Sequence, residues 1–427
     1  MRDPQPDREV RMTVLPNGIR VITEAMPAVR SVAFGFWLGT GSRAEKPRES
    51  GISHFIEHML FKGTPRRSAE AIAREMDSIG GHLDAFTGRE LVGYNTKVLD
   101  EHLPLAFDIL ADMLLNPLFE ADDVEKEKGV ILEELKMDTD NPESFIHELF
   151  VSRFWHGHPI GRPIIGTKKN IAGFTRDELR DFHRRFYTPR NLIITAAGSL
   201  DHGEFAALAE KYFSTLPAGG DRPDGPRPEP KAPILLKQRR SLEQVHFCLG
   251  APMLEAAHPL RYAAYTLNVV LGAGMSSRLF QNIRERQGLA YSIFSELNLY
   301  RDAGMLAVYA GASAANVRAV LDGVMTEIRR LKTEPLAPDE LRLAKDNMKG
   351  SLVLSLESTS SRMGNLARQW LTYGRFYSIN EVIAGIEAVT ADQVLETAAS
   401  HFNTESIGMA LLGRLDGLDF GRNDLEC

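Results

Sequence analysis

The sequence predicts an α+β protein built from two homologous domains, each a mostly antiparallel sheet with helices packed on one face. Three observations support this fold class. Strand and helix patterns mix within each half of the chain, a proline-rich segment lies near the middle, and landmarks of the first half recur in the second. The 427 residues, 43% of them hydrophobic and 25% charged, are sufficient for two ordinary cores.

The first half begins with a predicted hairpin. Thr13–Leu15 and Ile19–Thr23 flank a Pro-Asn-Gly turn, and the apolar run Val32–Leu38 is typical of a buried strand. Three helices are predicted from their apolar periodicity, the first of them with Ser68 as its N-cap: Ser68–Gly80, Leu103–Leu115 and Ala121–Lys136.

The proline density of Pro217–Pro233 is incompatible with a helix or a central strand, so this segment is expected to be an extended linker. The expected boundaries are a first domain at residues 1–217, a linker at residues 218–233 and a second domain at residues 234–427. The halves are therefore similar in length, as expected for a duplication.

Two pairs of landmarks indicate that duplication. Thr175 and Thr390 both begin a Thr-x-Asp helix start, and Gly198 and Gly413 both follow a predicted strand. Each pair is separated by 215 residues. Two further pairs, Phe186 with Phe402 and Asn116 with Glu334, have offsets of 216 and 218. A nearly constant offset between landmarks in the same order indicates a duplicated unit of about 200 residues.

Composition excludes several classes of function. The charges, 50 Lys+Arg against 57 Asp+Glu, give no basic surface for nucleic acid. Two cysteines, Cys248 and Cys427, cannot form a disulfide framework. No apolar run reaches the ~18–20 residues of a membrane span, and the N-terminus lacks the features of a signal or transit peptide. We expect a soluble, cytoplasmic protein, although a mature form without its targeting segment would look the same.

The strongest local motif is the His-x-x-Glu-His sequence at residues 54–58. On a helix, His54, Glu57 and His58 share one face. Imidazole is a common zinc ligand, and a carboxylate between two such ligands can deprotonate a metal-bound water. The order is the inverted form of a known zinc-protease motif. The alternative is a pair of histidines that hydrogen-bond to nearby carboxylates.

A catalytic zinc takes a third protein ligand and keeps one position open. Glu127 and Glu134 are seven residues apart and share a stripe with apolar neighbours, whereas Glu133 points about 120° away. We therefore predict Glu134 as the third ligand and Glu127 as a carboxylate that orients a ligand. From periodicity alone, a solvated acidic helix is equally compatible with Ala121–Lys136.

Taken together, His54–Thr64, Leu83–Thr87 and Glu127–Leu135 resemble the insulinase/pitrilysin clan of zinc peptidases. The resemblance covers nearly the whole chain. It is strongest to the short branch that contains the catalytic β subunit of the mitochondrial processing peptidase and its bacterial relatives. It implies a zinc-dependent endopeptidase for unfolded peptides, with Glu57 as general base and Zn²⁺ held by His54, His58 and Glu134.

The resemblance also implies contacts with the substrate. Arg284 and Tyr291 match an Arg-x6-Tyr pair that contacts the peptide beside the scissile bond, where both could stabilise an oxyanion. Without the resemblance they would be read as an exposed arginine at a helix end and a strand tyrosine. Leu83–Thr87 resembles an edge strand that pairs with the substrate backbone; its candidate substrate-binding residues are Ala85, Phe86 and Thr87. The alternative is an internal strand.

The second half contains no His-x-x-Glu-His sequence, so we expect it to complete a substrate chamber without binding metal. The resemblance implies a clamshell of two domains and a homodimer or a heterodimer with a related chain. A non-catalytic assembly subunit of a processing-peptidase-like complex is the alternative, although such subunits typically lose the zinc residues. A metallohydrolase for non-peptide substrates is a third possibility.

Overall fold

The computed structural model describes residues 9–217 and 225–427, so part of the predicted linker, residues 218–224, lies outside the described residues. The chain divides into two compact units. The first unit consists of the described residues within Met1–Lys136, Arg162–Gly225 and Val353–Ile379. The second unit consists of Met137–Gly161, Pro226–Leu352 and Asn380–Cys427. The units therefore differ from the two continuous domains predicted from the linker, because one segment of each half packs with the other unit.

The first unit contains a six-stranded sheet with the order β1-β2-β6-β3-β5-β4. Its strands are β1 (Val10–Val14), β2 (Arg20–Ala25), β3 (Ser31–Leu38), β4 (His82–Thr87), β5 (Val92–Leu99) and β6 (Leu192–Gly198). The β2–β6 pair is parallel, and the other neighbouring pairs are antiparallel. Within the described residues, strand β4 ends the sheet and pairs with β5 alone, so it is an edge strand there and not an internal one.

The second unit contains a five-stranded sheet with the order β7-β11-β8-β10-β9. Its strands are β7 (Ile234–Gln238), β8 (Gln244–Met253), β9 (Ala290–Leu299), β10 (Gly304–Ser313) and β11 (Gly408–Gly413). Among its described strands, β7 and β11 pair in parallel and the other neighbours are antiparallel. Both sheets are thus mostly antiparallel, and the predicted α+β class is confirmed.

The α-helices of the described residues lie between these strands. In chain order they are α1 (Ile52–Leu60), α2 (Ala69–Ser78), α3 (Leu103–Leu115), α4 (Ala121–Asp140), α5 (Pro142–Phe154), α6 (Lys168–Gly173), α7 (Arg176–Phe186), α8 (His202–Phe213), α9 (Arg261–Leu271), α10 (Val317–Thr333), α11 (Pro338–Ser355), α12 (Thr359–Tyr373), α13 (Ile379–Glu387) and α14 (Ala391–His401). The three predicted helices correspond to α2, α3 and α4. None of the helices in the described ranges has the length and apolar character that a membrane crossing requires.

The main core of the first unit lies between one face of its sheet and several helices. Phe34 and Phe36 of β3 pack there against Phe107 of α3. The opposite face of the sheet is covered by α12, whose Met363 is buried beside Trp37. This is why Val353–Ile379 belongs to the first unit, and it adds one helix to the predicted arrangement of helices on a single face.

The second unit repeats this arrangement with α5 on the opposite face of its sheet. Phe150 and Phe154 of α5 are fully buried there with Cys248 of β8. A Cβ at Gly250 of β8 would lie 2.5 Å from the Phe150 ring, so the close packing of α5 requires glycine at this position. This contact explains why Met137–Gly161 belongs to the second unit.

The duplicated landmarks occupy equivalent positions in the two units. Thr175 and Thr390 are the N-caps of α7 and α14, and both helices begin with a capping box. The strands that follow, β6 and β11, take part in the parallel pairings of their sheets, and Gly198 and Gly413 are their last residues. The two halves therefore share a topology as well as a sequence pattern.

Candidate functional site

Helix α1, which carries the His-x-x-Glu-His sequence, begins at an unusual N-terminus. Its N-cap is Gly51, which has a φ of 98°, and a Cβ there would lie 2.4 Å from the carbonyl oxygen of Ile165. Glycine is therefore required, and glycine has no side chain with which to cap the helix. Instead, the buried carboxylate of Glu45 accepts the backbone N–H groups of Gly51 and Ser53, both at 2.9 Å.

The carboxylate of Glu45 holds the first turn of α1 through the N–H groups of Gly51 and of Ser53, the residue before His54. Burial raises the pKa of Glu45 to about 7, and the hydrogen bonds from Ser53 and Gly51 oppose that rise. A carboxylate at a helix N-terminus also interacts favourably with the helix dipole. No local motif in the sequence indicated this contact.

The two faces of α1 have different surroundings. Phe55, Ile56 and Met59 are fully buried in the core of the first unit. Their burial sets the rotation of the helix, so that His54 and His58 lie together on another face with their ring centroids 4.7 Å apart. This is the arrangement that the i, i+4 spacing predicts.

Helix α4 brings Glu134 to these two histidines. Its Oε1 lies 3.6 Å from Nε2 of His54, and its Oε2 lies 3.4 Å from Nε2 of His58. The ligating atoms of the three residues are all within 4.8 Å of one another, and they form the only such group of three or more in the described ranges. Glu133 points away: its side chain is 73% exposed and lies 3.6 Å from Lys136.

The ring nitrogens of the two histidines have different surroundings. Burial, together with repulsion from His58, lowers the pKa of His54 to about 4, so that its imidazole is neutral at neutral pH. Nδ1 of His58 lies 2.9 Å from Oε1 of Glu127. Because a carboxylate only accepts, this nitrogen carries a hydrogen, and Nε2 on the other side of the ring faces Glu134. Two imidazoles and one carboxylate are a known ligand set of catalytic zinc.

Glu127 lies behind His58 and is only 3% exposed. Its Oε2 lies 2.5 Å from Nζ of Lys62, a residue to which the sequence analysis assigned no role. Lys62 follows the end of α1, four residues after His58. A basic residue one turn beyond the second histidine is the signal that could have identified it.

Glu57 lies beside this cluster and contacts the edge strand. Thr87, the last residue of β4, donates a hydrogen bond of 2.5 Å to Oε2 of Glu57. Burial raises the pKa of Glu57 above its ordinary value, and the hydrogen bond from Thr87 and the charge of His58 oppose this rise. A raised pKa brings a carboxyl group closer to the range suited to a general base, which must accept a proton and later release it.

The three candidate residues of β4 do not share one face. Side chains alternate along a strand, so Ala85 and Thr87 lie on one face and Phe86 on the other. Ala85 packs against the main core, whereas Phe86, 40% exposed, lies 5.9 Å from the Trp37 ring between centroids. Thr87 alone of the three makes a hydrogen bond to Glu57 in the described residues.

Arg284 and Tyr291 lie in the second unit. Arg284 belongs to a π-helical turn, Phe280–Glu285, and Tyr291 lies near the start of the edge strand β9 with 78% of its surface exposed. The guanidinium carbon of Arg284 lies 4.6 Å from the centroid of the Phe280 ring and 5.5 Å from that of Tyr291. The predicted pair is thus brought together, and Phe280 is an aromatic neighbour that the sequence analysis missed.

Two related α+β units, one of which carries a His-His-Glu cluster, define the class of this protein. Residues 20–168 match the family described as Insulinase (Peptidase family M16), and residues 173–348 match the Peptidase M16 inactive domain. The chain is 41% identical over 415 residues to an "Uncharacterized zinc protease" of Mycobacterium bovis, covering 96% of this chain and 94% of that protein. It is also 41% identical over 396 residues to an "Uncharacterized zinc protease" of Bacillus subtilis, covering 93% and 96%.

The chain therefore belongs to the M16, or insulinase, family of peptidases. The fold is also similar to solved structures. A protease from Helicobacter pylori superposes with a TM-score of 0.89 at 22% identity, covering 95% of this chain and 100% of that chain. A structure described as a peptidase M16 inactive domain, from Pseudomonas fluorescens, has the same TM-score at 21% identity and covers 95% and 98%.

Proposed function

We propose that the protein is a zinc-dependent endopeptidase that cleaves unfolded peptides, with Glu57 as its general base. The single observation that supports this most directly is the cluster of His54, His58 and Glu134, whose ligating atoms lie within 4.8 Å of one another. Membership of the M16 family and the names of the relatives support the zinc and the peptidase class.

In this proposal the three side chains hold zinc, which when bound would polarise a water molecule and the scissile carbonyl. Glu57 accepts a proton from the attacking water and returns it to the amine nitrogen that leaves. The hydroxyl of Thr87 donates a hydrogen bond to Oε2 of Glu57 and so helps to orient this carboxylate.

The edge strand β4 accounts for the proposed substrate class. An edge strand presents backbone N–H and C=O groups that can pair with an extended peptide. This pairing contacts the backbone of the peptide, and it requires an unfolded segment. Arg284 and Tyr291 are proposed to donate hydrogen bonds to the peptide carbonyl, and the clamshell closure that would bring them to the substrate stays a prediction.

The test compares wild type with Glu57→Gln on a mixture of unfolded peptides, with fragments identified by mass spectrometry and zinc measured by elemental analysis. We expect wild type to bind zinc, to lose cleavage on chelation and to regain it when zinc is restored. Glu57→Gln should keep zinc and lose cleavage by about 10²–10⁴-fold, the usual contribution of a general base. Glu101→Gln, an exposed glutamate of the same unit, is the matched control and should cleave like wild type.

The same experiment separates the alternatives. A variant Glu57→Gln as active as wild type would disprove the proposed base. A wild-type protein without zinc or cleavage would favour the non-catalytic assembly subunit. Zinc binding without peptide cleavage would favour a metallohydrolase for other substrates. The predicted homodimer or heterodimer can be tested in parallel by sedimentation, and the cytoplasmic location stays a prediction.

A further inference from the structure

The carboxylate of Glu127 is shared between a histidine and a lysine. Its Oε1 lies 2.9 Å from Nδ1 of His58, and its Oε2 lies 2.5 Å from Nζ of Lys62. The side chain of Glu127 is 4% exposed, whereas that of Lys62 is 34% exposed. Lys62 therefore reaches from the surface to a buried anion.

Two physical arguments indicate that Lys62 stabilises the position of Glu127. A buried carboxylate without a countercharge is strongly unfavourable. Lys62 is the cation in contact with Glu127. Removing the charge of Lys62 would therefore favour a different position of the Glu127 carboxylate, or a different environment around it. The backbone of Lys62 is fixed as well, because its N–H donates to the carbonyl oxygen of Met59 at 3.1 Å.

The two histidines differ in their support. Nδ1 of His54 is buried and has no hydrogen-bond partner within the described residues. Nδ1 of His58, by contrast, is held by Glu127. Of the two imidazole rings, that of His58 is therefore the one whose orientation is fixed by a hydrogen bond at Nδ1. Hydrogen-bond partners of metal-binding histidines typically contribute 10–100-fold to metal affinity.

We propose that Lys62 is a positioning residue of the metal centre, which acts through Glu127 to hold His58 with its Nε2 toward Glu134. The inference rests on the proposed function, because it takes zinc as the metal. It goes beyond that function in assigning to a residue outside the His-x-x-Glu-His sequence a contribution to metal affinity.

The test measures the zinc dissociation constant by competition with a chelator, and the d–d absorption of the cobalt-substituted protein. We expect Lys62→Met to weaken zinc binding about 10–100-fold and to change the cobalt spectrum. Lys62→Arg, which keeps the charge, should restore affinity to within a few-fold of wild type. Lys126→Met removes an exposed lysine from the same helix as Glu127 and should bind zinc like wild type.

A double-mutant cycle tests whether Lys62 acts through Glu127. We expect Lys62→Met to have almost no further effect on affinity in a Glu127→Ala background, because residues of one network are not additive. Should Lys62→Met not fold, Lys62→Gln serves instead, with a smaller loss expected. An unchanged zinc affinity together with an unchanged cobalt spectrum in Lys62→Met and Lys62→Gln would overturn the inference but not the proposed function. Full additivity of Lys62→Met with Glu127→Ala would do the same. A wild-type protein that binds no zinc would overturn the proposed function and the inference together.

Discussion

The hydroxyl of Thr87 donates a hydrogen bond of 2.5 Å to Oε2 of Glu57. This contact joins the last residue of the edge strand β4 to α1, the helix that carries His54 and His58. A peptide paired with β4 would therefore be aligned by the same strand that orients the proposed base. Such alignment commonly increases the rate of an enzyme-catalysed reaction, because it positions the reacting groups in advance.

Removing this hydroxyl should reduce the rate of cleavage without loss of zinc. Thr87→Val keeps the branched shape of the side chain but leaves Glu57 without its donor. A hydrogen bond to a charged group contributes about 1.5–3 kcal/mol, so we expect kcat to fall about 10–100-fold. Steady-state kinetics on a defined peptide and zinc analysis of the same sample give the two values needed.

Thr87→Ser is the matched control for that prediction, since it keeps the hydroxyl and should retain most of the activity. Equal activity of Thr87→Val and Thr87→Ser would show that the hydroxyl is dispensable. A loss of zinc in Thr87→Val would show that the substitution acts on the metal site and not on the base.

The position of Glu134 gives a second prediction. Glu134 lies 3.6 Å from Nε2 of His54, whereas the neighbouring Glu133 is 73% exposed. We expect Glu134→Ala to weaken zinc binding by more than about 100-fold, above the usual effect of residues that only support a ligand. Glu133→Ala should change affinity by no more than about twofold, as surface substitutions usually do. Competition with a chelator measures both, and the reverse order would contradict the assignment of α4.

Local helix geometry was sufficient for much of the candidate site. The spacing of His54, Glu57 and His58 places them on adjacent positions of a helix surface, and the choice of Glu134 over Glu133 follows from a rotation of about 100° per residue. Both choices depend on contacts within one helix turn or two. That is the range over which sequence periodicity carries structural information.

Contacts between distant segments could not be obtained in this way. Glu45 caps α1 from outside the helix, and Lys62 approaches Glu127 of another helix. Likewise α12 covers one face of the sheet of the first unit, although its sequence position is in the second half. Amphipathicity shows that such a helix has an apolar face but does not show which sheet buries it.

The capping role of Glu45 gives a third prediction. Its two oxygens accept the N–H groups of Gly51 and Ser53. In Glu45→Gln one of these oxygens becomes an amide nitrogen, which cannot accept. A buried N–H without a partner costs about 1–3 kcal/mol, and we expect the free energy of unfolding of the metal-free protein to fall by that amount. Urea denaturation followed by circular dichroism measures it.

Glu70→Gln is the control for Glu45→Gln, because Glu70 is an exposed glutamate in the first turn of α2. Its free energy of unfolding should stay within about 0.5 kcal/mol of wild type. We also expect Glu45→Gln to bind zinc more weakly, since the N-terminal turn of α1 contains His54. Wild-type stability in Glu45→Gln would show that the capping contact is unimportant.

The stability of the first unit should depend on pH through Asp108. This carboxylate accepts hydrogen bonds from Arg66, Arg67 and Tyr212. Burial opposes its ionisation, but these hydrogen bonds outweigh burial and hold the pKa of Asp108 below its ordinary value of 3.8. The unfolded chain therefore binds a proton at a higher pH than the folded protein does. By linkage, the stabilisation is complete above about pH 4 and is lost as the pH falls below that value.

Urea unfolding of the metal-free protein between pH 7 and pH 3 tests this dependence. We expect Asp108→Asn to be less stable than wild type at pH 7, because it lacks the charge that binds the two arginines. The difference in free energy of unfolding between wild type and Asp108→Asn should narrow as the pH falls below about 4. Below that pH, Asp108 binds a proton in the unfolded wild-type chain, and this lowers the stability of wild type. Asp181→Asn, on an exposed part of α7, should stay within about 0.5 kcal/mol of wild type throughout. A difference between wild type and Asp108→Asn that is constant over this range would exclude Asp108 as the source of the pH dependence.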